Sequence, residues 1–246
     1  CGVEVVGFCD SHTHVWVSKE LSSLEGVLFV DIFIASPQAQ CVDQHIVAVD
    51  GEHALELFWN PKKRNPNFSL NSRSFLEGYT TKYPFGTVHF LIAQLERNSI
   101  PIYSPTGIQL KNSKDGFRCI DVLLRVDDAM NSSVSNYVDN AENWWQKLLD
   151  FSGGNEGGGL CTKTMYDYVS LVRDRKLAFN PLKFKLDLGK FLKIQFGCDT
   201  SDGGFKSVES FGRHRINPPV RKFISWLSQL TGLKSFGLEL ELNLYG

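Results

Sequence analysis

The sequence contains no long apolar run. No stretch of its 246 residues approaches the roughly 20 consecutive apolar residues that a membrane-spanning helix requires. The start of the chain also lacks the basic region and the apolar segment of a secretory signal. A charged content of 22% and a net charge of −1 are ordinary for a globular protein. We therefore expect a cytoplasmic protein with no membrane partner.

Metal-binding cysteine pairs are also absent from the sequence. The six cysteines are widely scattered and none forms a C-x-x-C pair, which argues against a structural zinc site. Three of them, Cys9, Cys41 and Cys119, lie in apolar runs typical of strands, where a free thiol packs as a small apolar group. This cysteine usage indicates a reducing compartment.

Charge is unevenly distributed along the chain. Residues 1–150 contain 12 basic and 18 acidic side chains, a net charge of −6. Residues 151–246 contain 14 basic and 9 acidic side chains, a net charge of +5. An acidic segment favours cations and a basic segment favours an anionic substrate. A chance fluctuation in surface composition is the simpler alternative.

Short apolar runs near the start predict buried strands. The runs VEVVGF, GVLFVDIFIA and CVDQHIVAV are rich in Val, Ile and Phe, as in parallel or mixed sheets. Apolar residues at helical spacing predict helices over 86–98, over 137–151 and near 165–175. The segments 190–196 and 236–244 predict two further strands.

This pattern predicts an α/β fold, a mostly parallel sheet flanked by helices, with a smaller C-terminal α/β lobe. The glycine-rich stretch SGGNEGGG is the best candidate for a linker. We therefore predict a metal-binding catalytic domain over residues 1–151, a linker over 152–160, and a substrate-binding lobe over 161–246.

Acidic residues and histidines recur at the predicted strand ends, namely Asp10, His12 and His14, then Asp31, then Asp43 and His45, then Asp127 and Asp128. If the strands are parallel neighbours, these side chains meet in the crevice beyond the carboxyl ends of the strands. Several carboxylates together would repel one another without a cation. Mixed Asp and His ligation suits a divalent metal, with manganese expected and magnesium or zinc as alternatives.

Simpler roles exist for each of these residues. An Asp at a strand end is often a turn or helix cap, and a lone histidine such as His45 is more often structural than a ligand. Asp127 and Asp128 could start a helix, where acidic residues are favourable. The recurrence of the arrangement in four segments favours the metal site.

The order of these motifs resembles that of the DHH phosphoesterases, a family that includes RecJ-like nucleases. The resemblance covers about residues 5–130 and rests on short motifs. These are Asp10, Asp31, Asp43-Gln44-His45, Asn65-Pro66-Asn67, Tyr83-Pro84-Phe85-Gly86-Thr87 before an apolar helix, and Asp127 or Asp128 as the fourth-motif Asp. The turn Asp202-Gly203-Gly204 is similar to the glycine-rich loop of the family's C-terminal domain.

Three departures from the family pattern accompany the resemblance. Gln44 stands where the family has a histidine beside the metals. The first motif is Asp10-x-His12 instead of an Asp-x-Asp pair, and the connection from Asp10 to Asp31 is shorter than is usual in the family. These departures motivate an alternative hypothesis, a catalytically degenerate subunit that binds nucleic acid or a protein partner within a larger complex.

A rival resemblance is carried by FCDSHTHVW, which looks like the opening Asp-x-His-x-His of amidohydrolase-like metal hydrolases. FGCDTSD, residues 196–202, is similar to their late strand-end Asp. The eight-stranded barrel of those enzymes usually takes about 250 residues, which would occupy the whole chain. The glycine-rich break and the few remaining histidines fit such a barrel poorly.

The sequence thus predicts a metal-dependent hydrolase, a phosphodiesterase or nuclease acting on nucleic acid or a nucleotide through metal-activated water. The predicted metal ligands are Asp10, His12, Asp31, Asp43, His45 and Asp127, and the predicted catalytic residues are His14 and His45. Basic residues and a backbone turn are expected to hold the anionic substrate. They are Lys63, Arg64, Gly203, Gly204, Arg213 and Arg215.

Overall fold

A computed structural model of the chain describes residues 4–9, 15–70, 79–100, 128–153, 159–176, 190, 193–196, 221–222, 225 and 242–244. Contacts divide the chain into two compact units. The first unit comprises Cys1–Glu25, Leu110–Phe117 and Lys183–Gly246, and the second comprises Gly26–Gln109 and Arg118–Leu182.

The first unit contains a three-stranded antiparallel sheet. Its strands are β1 (Gly7–Cys9), β2 (Val15–Ser18) and β6 (Leu242–Leu244), in the order β1-β2-β6. Cys9 pairs with Val15 across the first two strands. The strand predicted over 236–244 is therefore confirmed in its described part. Residues 193–196, which were predicted to form a strand, are helical instead. The prediction was wrong because a short apolar run cannot distinguish a strand from a helix.

The second unit contains a three-stranded parallel sheet in the order β3-β4-β5. The strands are β3 (Leu28–Val30), β4 (Gln40–Val42) and β5 (Lys63–Arg64). β3 and β4 are much shorter than the apolar runs that predicted them, because the chain bends at Asp31 and β4 ends at Val42. The prediction of a mixed α/β fold with a parallel sheet is confirmed.

Six α-helical segments of the second unit are described. They are α1 (Gly51–Trp59), α2 (Pro66–Ser69), α3 (Thr87–Arg97), α4 (Asp128–Asn131), α5 (Val138–Gly153) and α6 (Leu160–Arg173). A 3-10 turn over Tyr79–Thr81 and a π-helical turn over Ser132–Asn136 complete the elements. The helices α3, α5 and α6 confirm the three predicted from apolar spacing. None of the described helices has the length and apolar character needed to cross a bilayer.

Aromatic side chains form the core between α3, α5 and the loop that precedes α3. Trp144 and Trp145 on α5 are fully buried, as their helical spacing with Ala141 and Leu148 predicts. Tyr83 packs edge-on against Trp144 with ring centroids 5.3 Å apart, and Phe85 lies 4.5 Å from Trp145. This packing fixes the loop that leads into α3.

The start of α6 is capped by a side chain from another helix. Gly159 precedes α6 and has no side chain to offer, so the carboxylate of Glu96 on α3 takes the capping role. Glu96 accepts hydrogen bonds from the backbone nitrogens of Cys161 (2.5 Å) and Thr162 (3.1 Å) and from Thr162 Oγ1 (2.6 Å). A Cβ at position 159 would lie 2.1 Å from Glu96 Oε2, so a glycine is needed there.

Loss of this tertiary cap should be measurable. We expect Glu96→Ala to lower the free energy of unfolding by about 1–2 kcal/mol, because it leaves the first backbone donors of α6 without their acceptor. Urea denaturation would measure this loss. Glu56→Ala, which removes an exposed glutamate from α1, is the control, and an equal loss in both variants would contradict the capping role.

A second carboxylate, Glu142 on α5, ties α5 to α6. Burial alone would raise its pKa, but hydrogen bonds from Tyr166, Arg173 and Gln146 outweigh burial and lower the pKa of Glu142 below its ordinary value of 4.5. Tyr166 donates its hydroxyl at 2.6 Å, and Arg173 forms a close ion pair with the same carboxylate. The side chain of Glu142 is 35% exposed, so solvent weakens the pair.

The stabilisation from Glu142 should depend on pH. A lowered pKa means that the stabilisation is present above pH 4.5 and is lost as the pH falls through the folded-state pKa. We expect Glu142→Gln to cost about 0.5 kcal/mol at pH 7, a value discounted for solvent exposure, and less at pH 3. Denaturation at both pH values would measure it, with Asp167→Asn in the exposed Lys163 pair as the control. A cost that does not change with pH would contradict this assignment.

Candidate metal centre

The site lies at the carboxyl edge of the parallel sheet and follows from strand register. Val30 pairs with Val42, and Val42 pairs with Arg64, so the next residue of each strand falls in line across the edge. Neighbouring strands stand about 4.8 Å apart, which brings polar side chains at this position together. The residues in line are Asp31, Asp43 and Asn65.

Three of the predicted ligands meet at this edge. The potential ligand atoms of Asp31, Asp43 and His45 all lie within 4.8 Å of one another. Three donors about 2.0–2.2 Å from one ion stand no more than about 4 Å apart on average, so the set would have to contract somewhat to hold an ion. Two carboxylates with one imidazole form a donor set suited to manganese, iron or zinc.

Burial makes the Asp43 carboxylate receptive to a cation. Its side chain is 1% exposed, and this burial raises the pKa of Asp43, although hydrogen bonds and charge from His45 and backbone hydrogen bonds from Gln44 and His45 act in the opposite direction. A buried carboxylate is costly unless a partner compensates it. The partner within the chain is the His45 ring, whose Nδ1 lies 2.7 Å from Asp43 Oδ1.

Gln44 determines the tautomer of His45 in this arrangement. The Gln44 side-chain nitrogen lies 3.2 Å from His45 Nε2. An amide nitrogen can only donate, so Nε2 accepts and the ring hydrogen resides on Nδ1, facing Asp43. Nε2 points away from Asp43, so an ion shared with Asp43 would be bound through Nδ1, which must first give up this hydrogen.

Asp31 has an unusual backbone conformation. Its φ of 65° lies in the left-handed region, which costs most residues about 1–2 kcal/mol and which Asp and Asn tolerate best. Its backbone nitrogen donates to the carbonyl of Val42 at 2.8 Å. Its carboxylate accepts a 2.5 Å hydrogen bond from Thr87 Oγ1 at the start of α3. The strained turn thus presents the carboxylate both to α3 and to Asp43 and His45.

Two buried asparagines support the loop that carries His45. We call Asn65 and Asn67, which are 0% and 1% exposed, the asparagine frame. Asn65 Nδ2 donates to the carbonyl of His45 at 2.6 Å, and Asn67 Nδ2 donates to the carbonyl of Gln44 at 2.8 Å. Asn67 Oδ1 also accepts from the backbone nitrogen of Tyr83 at 2.8 Å.

The predicted substrate-binding residue Lys63 is engaged within the chain. It is 3% exposed, and its ammonium group donates to the carbonyls of Ile34, Ser36 and Ala39 at 2.6, 2.7 and 2.8 Å. An ammonium group has three donors, and all three are used here. Lys63 therefore holds the loop between β3 and β4, and we leave it out of the proposed substrate contacts. Arg64, the next residue, is exposed.

Most of the other predicted site residues lie outside the described residues. They are Asp10, His12, His14, Asp127, Gly203, Gly204, Arg213 and Arg215. The amidohydrolase-like alternative depends on His12 and His14 and on Asp199 and Asp202, which lie outside them too. Asp128, named beside Asp127, is the first residue of α4. For these residues the metal-binding, catalytic and substrate-binding roles stay predictions.

Sequence reasoning did not assign roles to Thr87, Asn65 or Asn67. Thr87 reaches Asp31 across 56 residues of sequence, and no local pattern links the two. The Asn-Pro-Asn motif was a usable signal, because Asn is favoured as a helix cap and Pro at the first helical position. Asn65 does cap α2 by accepting from the Asn67 nitrogen at 3.0 Å.

Comparisons with protein families, with curated proteins and with solved structures found no match to this chain. The similarity to DHH phosphoesterases accordingly rests on the motifs alone and stays a prediction.

The strain at Asp31 leads to a prediction about stability. We expect Asp31→Asn to change the free energy of unfolding by less than about 0.5 kcal/mol, because Asn tolerates positive φ and can still accept from Thr87. Asp31→Ala should cost about 2 kcal/mol, because it keeps the strained backbone and leaves the buried Thr87 hydroxyl without its acceptor. Chemical denaturation of metal-free protein would rank the two variants. Equal stability of the two would contradict this role of Asp31.

Proposed function

We propose that the chain is a metal-dependent phosphodiesterase whose substrate is nucleic acid or a nucleotide. The observation that carries the proposal is the convergence of Asp31, Asp43 and His45 at the carboxyl edge of a parallel sheet. Loops beyond this edge form the usual ligand crevice of open α/β sheets. The order of motifs shared with DHH phosphoesterases supports phosphorus as the reacting centre.

Each residue of the site has a role in this proposal. Asp31, Asp43 and His45 hold the divalent ion, with manganese as the first choice and magnesium or zinc as alternatives. When bound, such an ion supplies Lewis acidity toward a phosphate oxygen and lowers the pKa of water. Thr87 keeps the Asp31 carboxylate oriented through its hydroxyl. His45, 57% exposed at its side chain, is accessible to a substrate.

The finer architecture and the remaining residues also belong to the proposal. The predicted mostly parallel sheet flanked by helices, the predicted ligands Asp10, His12 and Asp127, and the predicted catalytic residue His14 stay part of the proposal. A smaller C-terminal lobe would hold the substrate through Gly203, Gly204, Arg213 and Arg215. The net charge of +5 over residues 151–246 supports an anionic substrate for that lobe.

A second function is favoured by the position of Gln44. Its amide donates to His45 Nε2 and so keeps the ring hydrogen on Nδ1, the nitrogen that faces Asp43 and that a metal shared with Asp43 would need. In a catalytically degenerate subunit this contact would persist, and the chain would bind nucleic acid or a protein partner without metal. Such binding would be insensitive to chelators, which distinguishes it from the phosphodiesterase.

Hydrolysis of a phosphodiester tests the proposed function. We expect the metal-free protein to gain activity on added Mn²⁺ toward bis(p-nitrophenyl) phosphate and a labelled oligonucleotide. Asp31→Asn and Asp43→Asn should each lower the rate by at least about a hundredfold, because each loses a charged ligand while keeping its shape.

Asp167→Asn, which changes an exposed aspartate on α6, is the matched control and should retain full activity. Circular dichroism would show that each variant is folded. Full activity in both site variants would overturn the assignment, and chelator-resistant oligonucleotide binding without hydrolysis would favour the degenerate subunit.

A further inference from the structure

The asparagine frame connects the His45 loop, on one side of the candidate metal site, with Asp31 on the other side. Asn65 and Asn67 hold the carbonyls of His45 and Gln44 on one side. On the other side, Asn67 Oδ1 holds the backbone nitrogen of Tyr83, which begins the loop leading to Thr87. Thr87 in turn donates to Asp31. A continuous path of hydrogen bonds and short backbone segments thus runs from His45 to Asp31.

The frame is internally satisfied and buried, which makes its geometry definite. Asn65 Oδ1 accepts from the backbone nitrogen of Asn67 at 3.0 Å and from Asn67 Nδ2 at 3.1 Å. Asn67 therefore uses both atoms of its side-chain amide, with Nδ2 donating to two acceptors and Oδ1 accepting from Tyr83. No other side chain of the same size offers two donors and an acceptor in this arrangement.

Aromatic packing anchors the far end of this path. The Tyr83 ring is fully buried against Phe85 and Trp144, with ring centroids 5.3 Å apart in both pairs. Asn67 joins this aromatic core to the loop of Gln44 and His45. The imidazole of His45 itself is exposed. Outer residues that orient metal ligands in this way commonly change metal affinity by about 10- to 100-fold when removed.

We propose that Asn67, acting together with Asn65, is a positioning residue of the metal centre. It sets the placement of the His45 imidazole relative to Asp43 and Asp31 by holding the Gln44 carbonyl against the Tyr83 loop. It contacts neither a metal nor a substrate. The inference concerns the His45 loop itself, and its consequence for metal affinity rests on the proposed function.

The test compares two asparagine-to-alanine variants that each lose a bond to a backbone carbonyl. Asn67→Ala breaks the link to Gln44, whereas Asn140→Ala, the matched control, breaks a 2.9 Å bond to the carbonyl of Lys82, adjacent to Tyr83. Both lose stability, but only Asn67→Ala disturbs the ligands. The first readout is the ¹⁵N chemical shift of the His45 ring in metal-free protein, and the second is Mn²⁺ affinity by electron paramagnetic resonance.

We expect Asn67→Ala to shift the His45 ring nitrogens and to weaken Mn²⁺ binding at least tenfold, with Asn140→Ala within twofold of the native protein. If Asn67→Ala does not fold, Asn67→Ser, which replaces the amide by a smaller polar group, carries the same comparison. Unchanged His45 shifts in a folded variant overturn the inference even if the native protein binds Mn²⁺. Altered shifts in a protein that binds no Mn²⁺ support the inference and overturn the proposed function instead.

Discussion

The in-register pairing of three short parallel strands is the constraint on which the candidate site depends. Val30, Val42 and Arg64 lie side by side, so the residue after each is delivered to one edge of the sheet. A slip of one residue between β3 and β4 would point the ligand side chains to opposite faces. Asp31 and Asp43 converge because of this register, although 12 residues separate them in sequence.

Each polar group that meets at this edge has a hydrogen-bond partner within the chain. Asp43 is nearly inaccessible to water and has the His45 ring beside it, while Asp31 has the Thr87 hydroxyl. Buried asparagines satisfy the carbonyls of the connecting loop, and a buried lysine satisfies the carbonyls of the β3–β4 loop. Asp43, the two asparagines and Lys63 are buried, and buried polar groups require such compensation. The carboxyl edge of this sheet is therefore held in place by a network of hydrogen bonds.

The sequence predicted the helices better than the strands. Residues Ala141, Trp144, Trp145 and Leu148 recur at the helical period, and α5 forms where that pattern lies. The strands are only two to four residues long, and their ends depend on pairing partners far away in sequence. The helix α1 was not predicted, because its residues Leu55, Phe58 and Trp59 are exposed and obscure its apolar face. The strand β5, which is only two residues long, was not predicted either. The sequence pointed to Asp31, Asp43 and His45 because acidic residues and histidines recur at the predicted strand ends. The contacts of Thr87 and Lys63 are with residues far away in sequence, so no local pattern predicts them.

The helix α3 has a carboxylate contact at each end. Thr87 in its first turn donates to Asp31, and Glu96 in its last turn reaches the start of α6. Nine residues separate the two positions, which corresponds to about 14 Å along the axis. One residue added or removed between them would rotate one contact by about 100° relative to the other. An insertion of three or four residues would restore the direction of both contacts but lengthen the span between them by about 5 Å. The two contacts together therefore fix the length of α3 as well as its rotation.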